Sequence, residues 1–409
     1  MATTSTTHRA LHPASYLDPS PHHQQPLEKS MSVLAGSSGG GSPNVVVIGG
    51  GIVGASIAWH LSHEANVTVV ASELGGVATP NSFAWINAAA GNPKFYYDLR
   101  HYSMHHWREL TDGAGGGLLP GLPVHWGGSL SWDMSPEELE AYRKEHAAWG
   151  YDIVRVEQTE IAEREPEIAD SSLPEWGLYV DEEGSVEAAD AALLFLEDAK
   201  ARGAKVISDA VTGFVKKQAD GSVGGVVTSS SGELSADHVV LAGGFGSVAL
   251  LAAENITLPV TTKAGLLIHT KPTTPGRTLL HGVVYETDLH MRQTLDGRIL
   301  AGTDEAGGDP GPDPQKTAEE LLATLKAALN DSDELELDYY TIGHRPTPQD
   351  GYPILGKTGL EGLTLAVMHS GVSLAAGVGQ LLTKLVLTGE SDPLLADFAL
   401  SRFNLTSTK

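Results

Sequence analysis

The stretch VVVIGGGIVGASIAWHL, residues 45–61, decides the fold of this chain. Its apolar beginning is typical of a strand that is covered on both faces in a parallel sheet. The glycines that follow fit the pattern G-x-G-x-x-G and are Gly49, Gly51 and Gly54. In a strand-to-helix turn, this spacing allows a tight bend, a close approach of the backbone to a pyrophosphate and close packing of helix on strand. The stretch therefore predicts a dinucleotide-binding turn, in which the amides of Ile52 and Val53 open the helix towards the phosphates.

A second predicted strand and an acidic residue follow this turn in the order that a nucleotide-binding βαβ unit requires. The strand is NVTVV, residues 66–70, and Glu73 stands nineteen residues after Gly54. A carboxylate at this position can accept hydrogen bonds from ribose hydroxyls. A glycine-rich turn that binds no ligand is the alternative, but the order of strand, glycines, helix, strand and acid favours a bound dinucleotide. This first unit does not distinguish FAD from NAD.

The composition limits the classes of protein to which the chain can belong. With 409 residues, 41% of them hydrophobic and 19% charged, it fits a globular protein of about two domains. We predict no nucleic-acid partner, because the net charge of -25 repels a phosphate backbone. We also predict no membrane span, because uninterrupted apolar runs stay shorter than the roughly eighteen residues that a span needs. The absence of cysteine excludes disulfides, thiolate metal sites and a redox-active cysteine pair.

Residues 1–43 differ in composition from the rest of the chain. They are rich in Ser, Thr, Pro, His and Gly, lack apolar periodicity and close in GSSGGGSP. We predict a disordered N-terminal extension. An organelle-targeting segment is the alternative, but Arg9 is its only arginine and no amphipathic helix is evident. We therefore expect an intracellular, cytoplasmic protein.

Three later parts of the chain favour FAD over NAD, because each offers backbone or small residues where an extended cofactor would continue. They are GGVATPNSFAWINAAAGNP (75–93), SADHVVLAGGFGS (235–247) and a C-terminal pair, HRPTPQDGYPILG (344–356) and LTLAVMHSGVSLAAGVGQLLTKLVLTG (363–389). The last of these is a strand that enters a small-residue turn and then a helix, whose N-terminus can point at a ligand. The candidate cofactor-binding residues in these parts are Thr79, Asn81, Ser82, Ala242, Gly243, Gly244, Ser370, Gly371, Val372 and Ser373.

In this order, the stretches resemble the superfamily of FAD-dependent amine oxidoreductases that includes D-amino-acid oxidase, glycine oxidase and sarcosine oxidase, often called the DAO family. The resemblance runs from about Asn44 to about Leu400. It implies a mixed α/β fold, in which a Rossmann-like FAD-binding domain is interleaved with an antiparallel-sheet substrate domain. We assign to the FAD-binding domain residues 44–100, 180–262 and 340–409, and to the substrate domain residues 101–179 and 263–339.

The resemblance implies an enzyme that oxidises a primary or secondary amine of an amino acid or related compound to an imine, by hydride transfer to N5 of the flavin. Its partner is then a small-molecule substrate. We expect noncovalent FAD, because the chain has no cysteine and because WINAA, residues 85–89, has Ile86 and Asn87 where some relatives carry a flavin-linked histidine. An NAD-dependent dehydrogenase and a non-catalytic flavin-binding scaffold or sensor are the alternatives.

Arg345 is the strongest candidate for contact with the substrate. The resemblance puts it in the RP motif, whose arginine in glycine oxidase and its relatives binds the substrate carboxylate. A guanidinium suits this role because it pairs with a carboxylate through two parallel hydrogen bonds and keeps its charge. A structural salt bridge to Asp350 is the alternative. The other catalytic candidates are His369, in the turn before the last helix, and His290, on a predicted strand; Lys263 is predicted to be a surface strand lysine.

His101 and His105 are four residues apart on a predicted helix, which is the spacing of a helical zinc-binding pair. No third ligand or glutamate base follows them in the expected sequence pattern. We therefore predict that they pack against Tyr97 and Trp107. We expect no metal site in this chain.

Overall fold

The computed structural model describes residues 41–112, 117–303 and 308–403. The predicted N-terminal extension, residues 1–43, lies outside the described residues except for its last three. Within the described ranges, the chain forms two large sheets, two small sheets and eight α-helices. This mixed α/β arrangement, with one mostly parallel and one mostly antiparallel large sheet, confirms the predicted fold class.

The parallel sheet is built around the strand that opens the glycine motif. Its six strands are β1 (Asn44–Gly50), β2 (Asn66–Leu74), β9 (Lys205–Ser208), β13 (His238–Leu241), β19 (Ile354–Lys357) and β20 (Leu363–Val367). Their order is β19-β20-β13-β1-β2-β9, and β19 is antiparallel to β20 while the other pairs are parallel. The apolar residues 45–48 of β1 are buried, as the continuous hydrophobic run predicts. Because β1 and β13 are parallel neighbours, their carboxyl ends lie side by side at the same end of the sheet.

A second sheet of eight strands stands beside the first. Its strands are β5 (Ser129–Ser131), β6 (Ile153–Glu157), β7 (Trp176–Val180), β14 (Val260–Thr270), β15 (Val283–Glu286), β16 (Leu289–Gln293), β17 (Ile299–Gly302) and β18 (Leu337–Pro348). Their order is β18-β14-β17-β16-β15-β5-β7-β6, and all neighbours are antiparallel except β5 and β15. Groups of consecutive strands belong in turn to one large sheet and then to the other along the chain. The exact domain boundaries given above stay a prediction.

Two three-stranded sheets complete the β structure. One contains β10 (Val211–Lys216), β11 (Val223–Thr228) and β12 (Glu233–Ser235), and the other contains β3 (Trp85–Ile86), β4 (Val124–His125) and β8 (Gly184–Val186). In the second of these, β8 is central and pairs with both β3 and β4. This pairing brings Trp85 and Ile86 of β3 next to the segment that follows β7.

Helices pack against both large sheets. They are α1 (Ile52–Leu61), α2 (Lys94–Thr111), α3 (Pro136–Ala148), α4 (Gln158–Arg164), α5 (Ala188–Ala201), α6 (Ser247–Ala252), α7 (Pro314–Ala328) and α8 (Gly371–Thr388). Helix α8 packs against α1 and α2. Glycines make this packing close: a Cβ atom at Gly377 would lie 2.8 Å from Cα of Ser103 on α2, and one at Gly379 would lie 2.4 Å from Oγ of Ser56 on α1.

Helix α8 is also, among the described residues, the one helix long and apolar enough to cross a membrane by length and composition alone. Its mean hydropathy is 1.4, but 72% of its residues are buried inside the protein. The central helix of a folded core has these same properties. Its apolar character is therefore explained by its packing against α1 and α2.

Candidate active site

The glycine turn between β1 and α1 leaves no room for side chains. Gly49 has a φ of 114°, and a Cβ atom there would lie 2.3 Å from the carbonyl oxygen of Ala242. A Cβ atom at Gly54 would lie 2.2 Å from the carbonyl oxygen of Gly49. Both obstacles are backbone atoms, so a side chain at either position would displace the turn itself. The turn is fixed further by Thr79, whose hydroxyl oxygen accepts a hydrogen bond from the Ile52 amide at 3.1 Å.

A cleft of about 850 Å³ extends from this turn to strand β18 of the antiparallel sheet. The predicted cofactor-binding residues that line it are Gly49, Gly51, Ile52, Val53, Glu73, Thr79, Ser82, Ala242, Gly243, Gly244, Ser370, Gly371, Val372 and Ser373. Gly54 and Asn81 are the two that do not line it. Gly54 packs beneath the turn, and the Asn81 side chain donates a hydrogen bond to the carbonyl oxygen of Val77 at 2.8 Å. The contacts of each residue with a cofactor stay predictions.

The shape and polarity of this cleft fit FAD. The N-termini of α1 and α8 both open into it, through Val53 and through Gly371 and Val372, while the Ile52 amide, predicted to face the phosphates, donates to Thr79 instead. Helix N-termini present backbone N–H groups and a partial positive charge, which suit a pyrophosphate and an electron-rich ring. The closed glycine turn allows a ligand to approach the backbone where a Cβ atom would otherwise stand.

The loop after β9 forms a part of the cleft that sequence reasoning missed. Asp209 and Ala210 of this loop line it next to the carboxyl end of β2, together with Val211 and Thr212 at the start of β10. The Asp209 carboxylate accepts hydrogen bonds from the hydroxyls of Ser229 and Ser231 at 2.5 and 2.8 Å, and these bonds lower the pKa of Asp209 below its ordinary value. The loop is thus held by a hairpin about twenty residues further along. No short motif joins these residues, so no local pattern in the sequence points to them.

Arg345 reaches the cleft from β18, a strand of the antiparallel sheet. It is buried, with 8% of its surface exposed, and it lines the cleft together with His344 and Pro346. Asp350, the alternative partner considered from the sequence, forms a bidentate pair with Arg402 at 2.7 and 2.9 Å. Lys263 is exposed on β14, as predicted, and it stands directly across from Arg345 in the register of the two strands. Arg345 therefore brings a guanidinium to the cleft, whereas Lys263 is not among the residues that line it.

The two histidines predicted to be catalytic lie in different surroundings. His369 lines the cleft, and its Nδ1 is 3.0 Å from the hydroxyl oxygen of Ser370, which has a left-handed φ of 54°. His290 is buried on β16 and is not among the residues that line the cleft. Phe83, which does line it, packs edge-on against the His290 ring with 4.2 Å between centroids. Burial, together with the charge of Arg345, lowers the pKa of His290 to about 3.

Trp85 forms a wall of the cleft that sequence reasoning also missed. Its indole Nε1 donates a hydrogen bond of 2.8 Å to the Glu183 carboxylate, which lies beside β8. Glu183 also accepts hydrogen bonds from the hydroxyls of Ser129 and Tyr151. Burial raises the pKa of the Glu183 carboxyl to about 7. The carbonyl oxygen of Trp85 accepts a hydrogen bond of 2.8 Å from Ser373 on α8. Trp85 is thus held both by its ring and by its backbone.

Arg100 brings a second buried guanidinium to the cleft. It lies on α2, with 4% of its surface exposed, and lines the cleft together with Asn87. Its side chain donates hydrogen bonds to the carbonyl oxygen of Asn87 at 3.1 Å and to the Asn87 side chain. A basic residue on the mostly apolar, buried face of α2 was the available signal, but its partner is thirteen residues away and on another element.

Comparison with known proteins agrees with this geometry. A family model described as FAD dependent oxidoreductase, named DAO, matches residues 44–385. Glycine oxidase of Pseudomonas putida is 30% identical over 87% of this chain and 96% of its own length, and glycine oxidase of Bacillus licheniformis is 28% identical over 84% and 93%. The solved L-proline dehydrogenase of P. horikoshii superposes with a TM-score of 0.76 at 21% identity, covering 89% of this chain and 98% of that one. The last similarity is one of fold.

Proposed function

Because the chain belongs to the DAO family of FAD-dependent oxidoreductases, we propose that it oxidises the primary or secondary amine of an amino acid, or of a related carboxylate-bearing compound, to an imine. The observation that carries this proposal is the position of Arg345, a buried guanidinium in the same cleft as the glycine turn and the N-terminus of α8. The glycine oxidases and the L-proline dehydrogenase that resemble this chain are named for amino acids, which supports a substrate with both an amine and a carboxylate.

FAD is held without a covalent bond, by the glycine turn and by the amides at the N-termini of α1 and α8. Bound FAD supplies the two-electron acceptor for the hydrogen on the carbon that bears the amine. The chain has no cysteine to attach the flavin, and the side chains of Ile86 and Asn87 cannot form that bond. Acid precipitation should release the yellow colour into the supernatant. Colour that stays with the precipitated protein would contradict noncovalent binding.

Arg345 orients the substrate by its carboxylate. The guanidinium keeps its charge at every pH at which the protein is folded, and it offers two parallel N–H groups to the two carboxylate oxygens. Because the side chain is buried, the pair is screened less by water than a surface ion pair. Holding one end of a small molecule in this way limits the positions that its amine can reach, which lowers the entropic part of the barrier.

Trp85 and Phe83 exclude water from the substrate end of the cleft. Phe83 is almost fully buried, and its carbonyl oxygen accepts a hydrogen bond of 2.7 Å from the Arg292 side chain. Trp85 is fixed by Glu183. Two aromatic surfaces held in this way strengthen the attraction between Arg345 and a carboxylate, because they lower the local dielectric constant.

The amine must be neutral when its carbon loses the hydrogen. The nearby buried His290 is neutral around pH 7, since its pKa is lowered to about 3. Because the amine must be neutral, activity should rise with pH and level off once the amine of the bound substrate is fully deprotonated. A rate of flavin reduction that does not change with pH across the amine titration would contradict this scheme.

The test uses matched pairs of amines that differ in one carboxylate: glycine with methylamine, sarcosine with dimethylamine, and proline with pyrrolidine. Each is mixed with the yellow holoenzyme without oxygen, and the bleaching of the flavin absorbance is followed. We expect bleaching by at least one carboxylate-bearing member and little or none by its partner. Equal bleaching by both members would contradict recognition through Arg345. A flavin that none of a wider panel of D-, L- and N-methyl amino acids bleaches would contradict amine oxidation.

A further inference from the structure

A second cluster of reactive side chains lies outside the cleft, where α2 passes the end of β7. It contains His101, His105 and Glu182, and their nearest ligand atoms all lie within 4.8 Å of one another. His105 is exposed, and the other two are partly buried. The sequence predicted no metal site because it showed no third ligand near the two histidines. The fold brings that ligand from 77 residues beyond His105, which removes the reason for that prediction.

The three side chains are held in position by their neighbours. His101 and His105 are four residues apart on α2, so they project from one face, and their ring centroids are 4.4 Å apart. The ring of Tyr97 stacks on His101 with centroids 5.1 Å apart, which agrees with one part of the predicted packing, while the Trp107 ring lies against Phe195 instead. One carboxylate oxygen of Glu182 accepts a hydrogen bond from the amide of Asp152 at 3.0 Å. The other oxygen is 3.0 Å from Nε2 of His101.

We propose that these three residues bind a divalent metal ion of the zinc class. Two imidazoles and one carboxylate are a common zinc ligand set, and a fourth position filled by water completes a tetrahedron. With zinc–ligand distances of about 2.0–2.2 Å, ligand atoms in a tetrahedron lie roughly 3.3–3.6 Å apart. Small rotations of side chains already within 4.8 Å of one another reach this spacing. The exposed side of His105 provides the path by which the ion enters.

A cluster that serves only as an ion pair is the competing explanation, and the geometry separates the two. The hydrogen bond between His101 and Glu182 needs no metal and does not involve His105. A metal site needs all three residues. His105 is therefore the position at which the two explanations differ, because its removal leaves the hydrogen bond in place.

The site would connect two parts of the protein that meet at the wall of the cleft. Helix α2 supplies the histidines, and Glu182 is followed directly by Glu183, which holds the indole of Trp85. A bound ion would tie the helix to this segment and stabilise the folded state, since it binds the native arrangement and not the unfolded chain. This inference does not depend on the proposed amine oxidation.

The experiment titrates Zn²⁺ and Co²⁺ into tag-free, chelator-treated holoenzyme and measures binding by calorimetry and by the visible spectrum of Co²⁺. We expect one tight equivalent, an intense Co²⁺ spectrum typical of four-coordination and a higher unfolding temperature with Zn²⁺. Three variants should each lose about tenfold or more in affinity: His101→Ala, His105→Ala and Glu182→Gln. The matched control is His63→Ala, at an exposed histidine after α1, which should bind as the unchanged protein does.

Two results would overturn the proposal. One is the absence of any saturable equivalent in the unchanged holoenzyme. The other is binding that survives His105→Ala, which is what His8, His12, His22 and His23 would give if they held the ion instead. Circular dichroism of the metal-free variants checks that they are folded, and flavin absorbance checks that they keep their cofactor.

Discussion

At the cofactor end of the cleft, the closest walls are backbone atoms contributed by a single turn, Gly49 to Gly54, and by the exit of β13. At the proposed substrate end, the lining residues are Phe83, Trp85, Arg100 and Arg345, from elements spread over more than 260 residues. The first wall can approach a ligand closely because no side chains cover its backbone. The second works because particular side chains are held by distant partners. The same ligand-sized cleft therefore depends on two kinds of interaction, and each predicts a different response to mutation.

The largest effect is expected at the glycine turn, with Gly49→Val. A Cβ atom there meets the Ala242 carbonyl at 2.3 Å, and the φ of 114° is strained for any side chain. The change should cost on the order of 4 kcal/mol of folding or FAD-binding free energy. The atoms that the new side chain would meet belong to the backbone, which cannot move aside as a flexible side chain can. We expect purified protein with almost no flavin absorbance. Gly213→Ala is the control, since a Cβ atom there has open space, and normal flavin content in Gly49→Val would refute the backbone account of this end.

Arg345→Ala should leave the flavin content unchanged and weaken the binding of the substrate. Loss of a buried partner for a carboxylate should raise KM on the order of 100-fold, which corresponds to about 3 kcal/mol. The effect on kcat should be smaller. Flavin absorbance per chain and steady-state kinetics with the best amino-acid substrate measure the two quantities, and Arg155→Ala, at a half-exposed surface arginine, is the control. An unchanged KM would mean that Arg345 holds no carboxylate.

This difference between the two ends explains what could be predicted from the sequence. The turn could be predicted because Gly49, Gly51 and Gly54, the strand and the helix are contiguous, and their roles follow from local sterics. The mixed α/β fold followed from the same motif and from the family resemblance. Arg345 was accessible only through the resemblance, since one arginine among many carries no local signature. Its position in the cleft depends on the register of β18 against β14.

The remaining parts of the site depend on pairings across long stretches of chain. Trp85 is positioned by Glu183, 98 residues further on, and Asp209 by serines of a hairpin. The third member of the proposed metal site, Glu182, reaches His101 from 81 residues away. Such contacts depend on which strands pair, and hydrophobic periodicity does not specify that. His290, a catalytic candidate from the sequence, lies behind Phe83 and does not line the cleft, and its role stays a prediction.

A smaller effect is expected from Glu183→Gln, which tests whether the substrate end depends on distant support. The amide of glutamine would turn a donor towards one of the three donors that now bond the carboxylate, those of Trp85, Ser129 and Tyr151. We expect about tenfold slower flavin reduction, from an indole that is less well held, with FAD still bound. In a double-mutant cycle with Trp85→Phe, the two changes should be strongly non-additive. Additive effects would show that Glu183 acts elsewhere.

The smallest effect concerns pH and compares a histidine from each large sheet. The pKa of His290 in the antiparallel sheet is lowered to about 3, and that of His238 in the parallel sheet to about 4, mainly by burial. Between the unfolded value of about 6.5 and these folded values, the unfolded chain binds a proton that the folded chain does not, so stability falls as the pH falls. Each histidine then removes about 1 kcal/mol between pH 6.5 and 5.5. Denaturant unfolding at both pH values should show a shallower loss for His290→Leu and for His238→Gln, and an unaltered pH slope in either variant would mean that its histidine titrates normally in the folded protein.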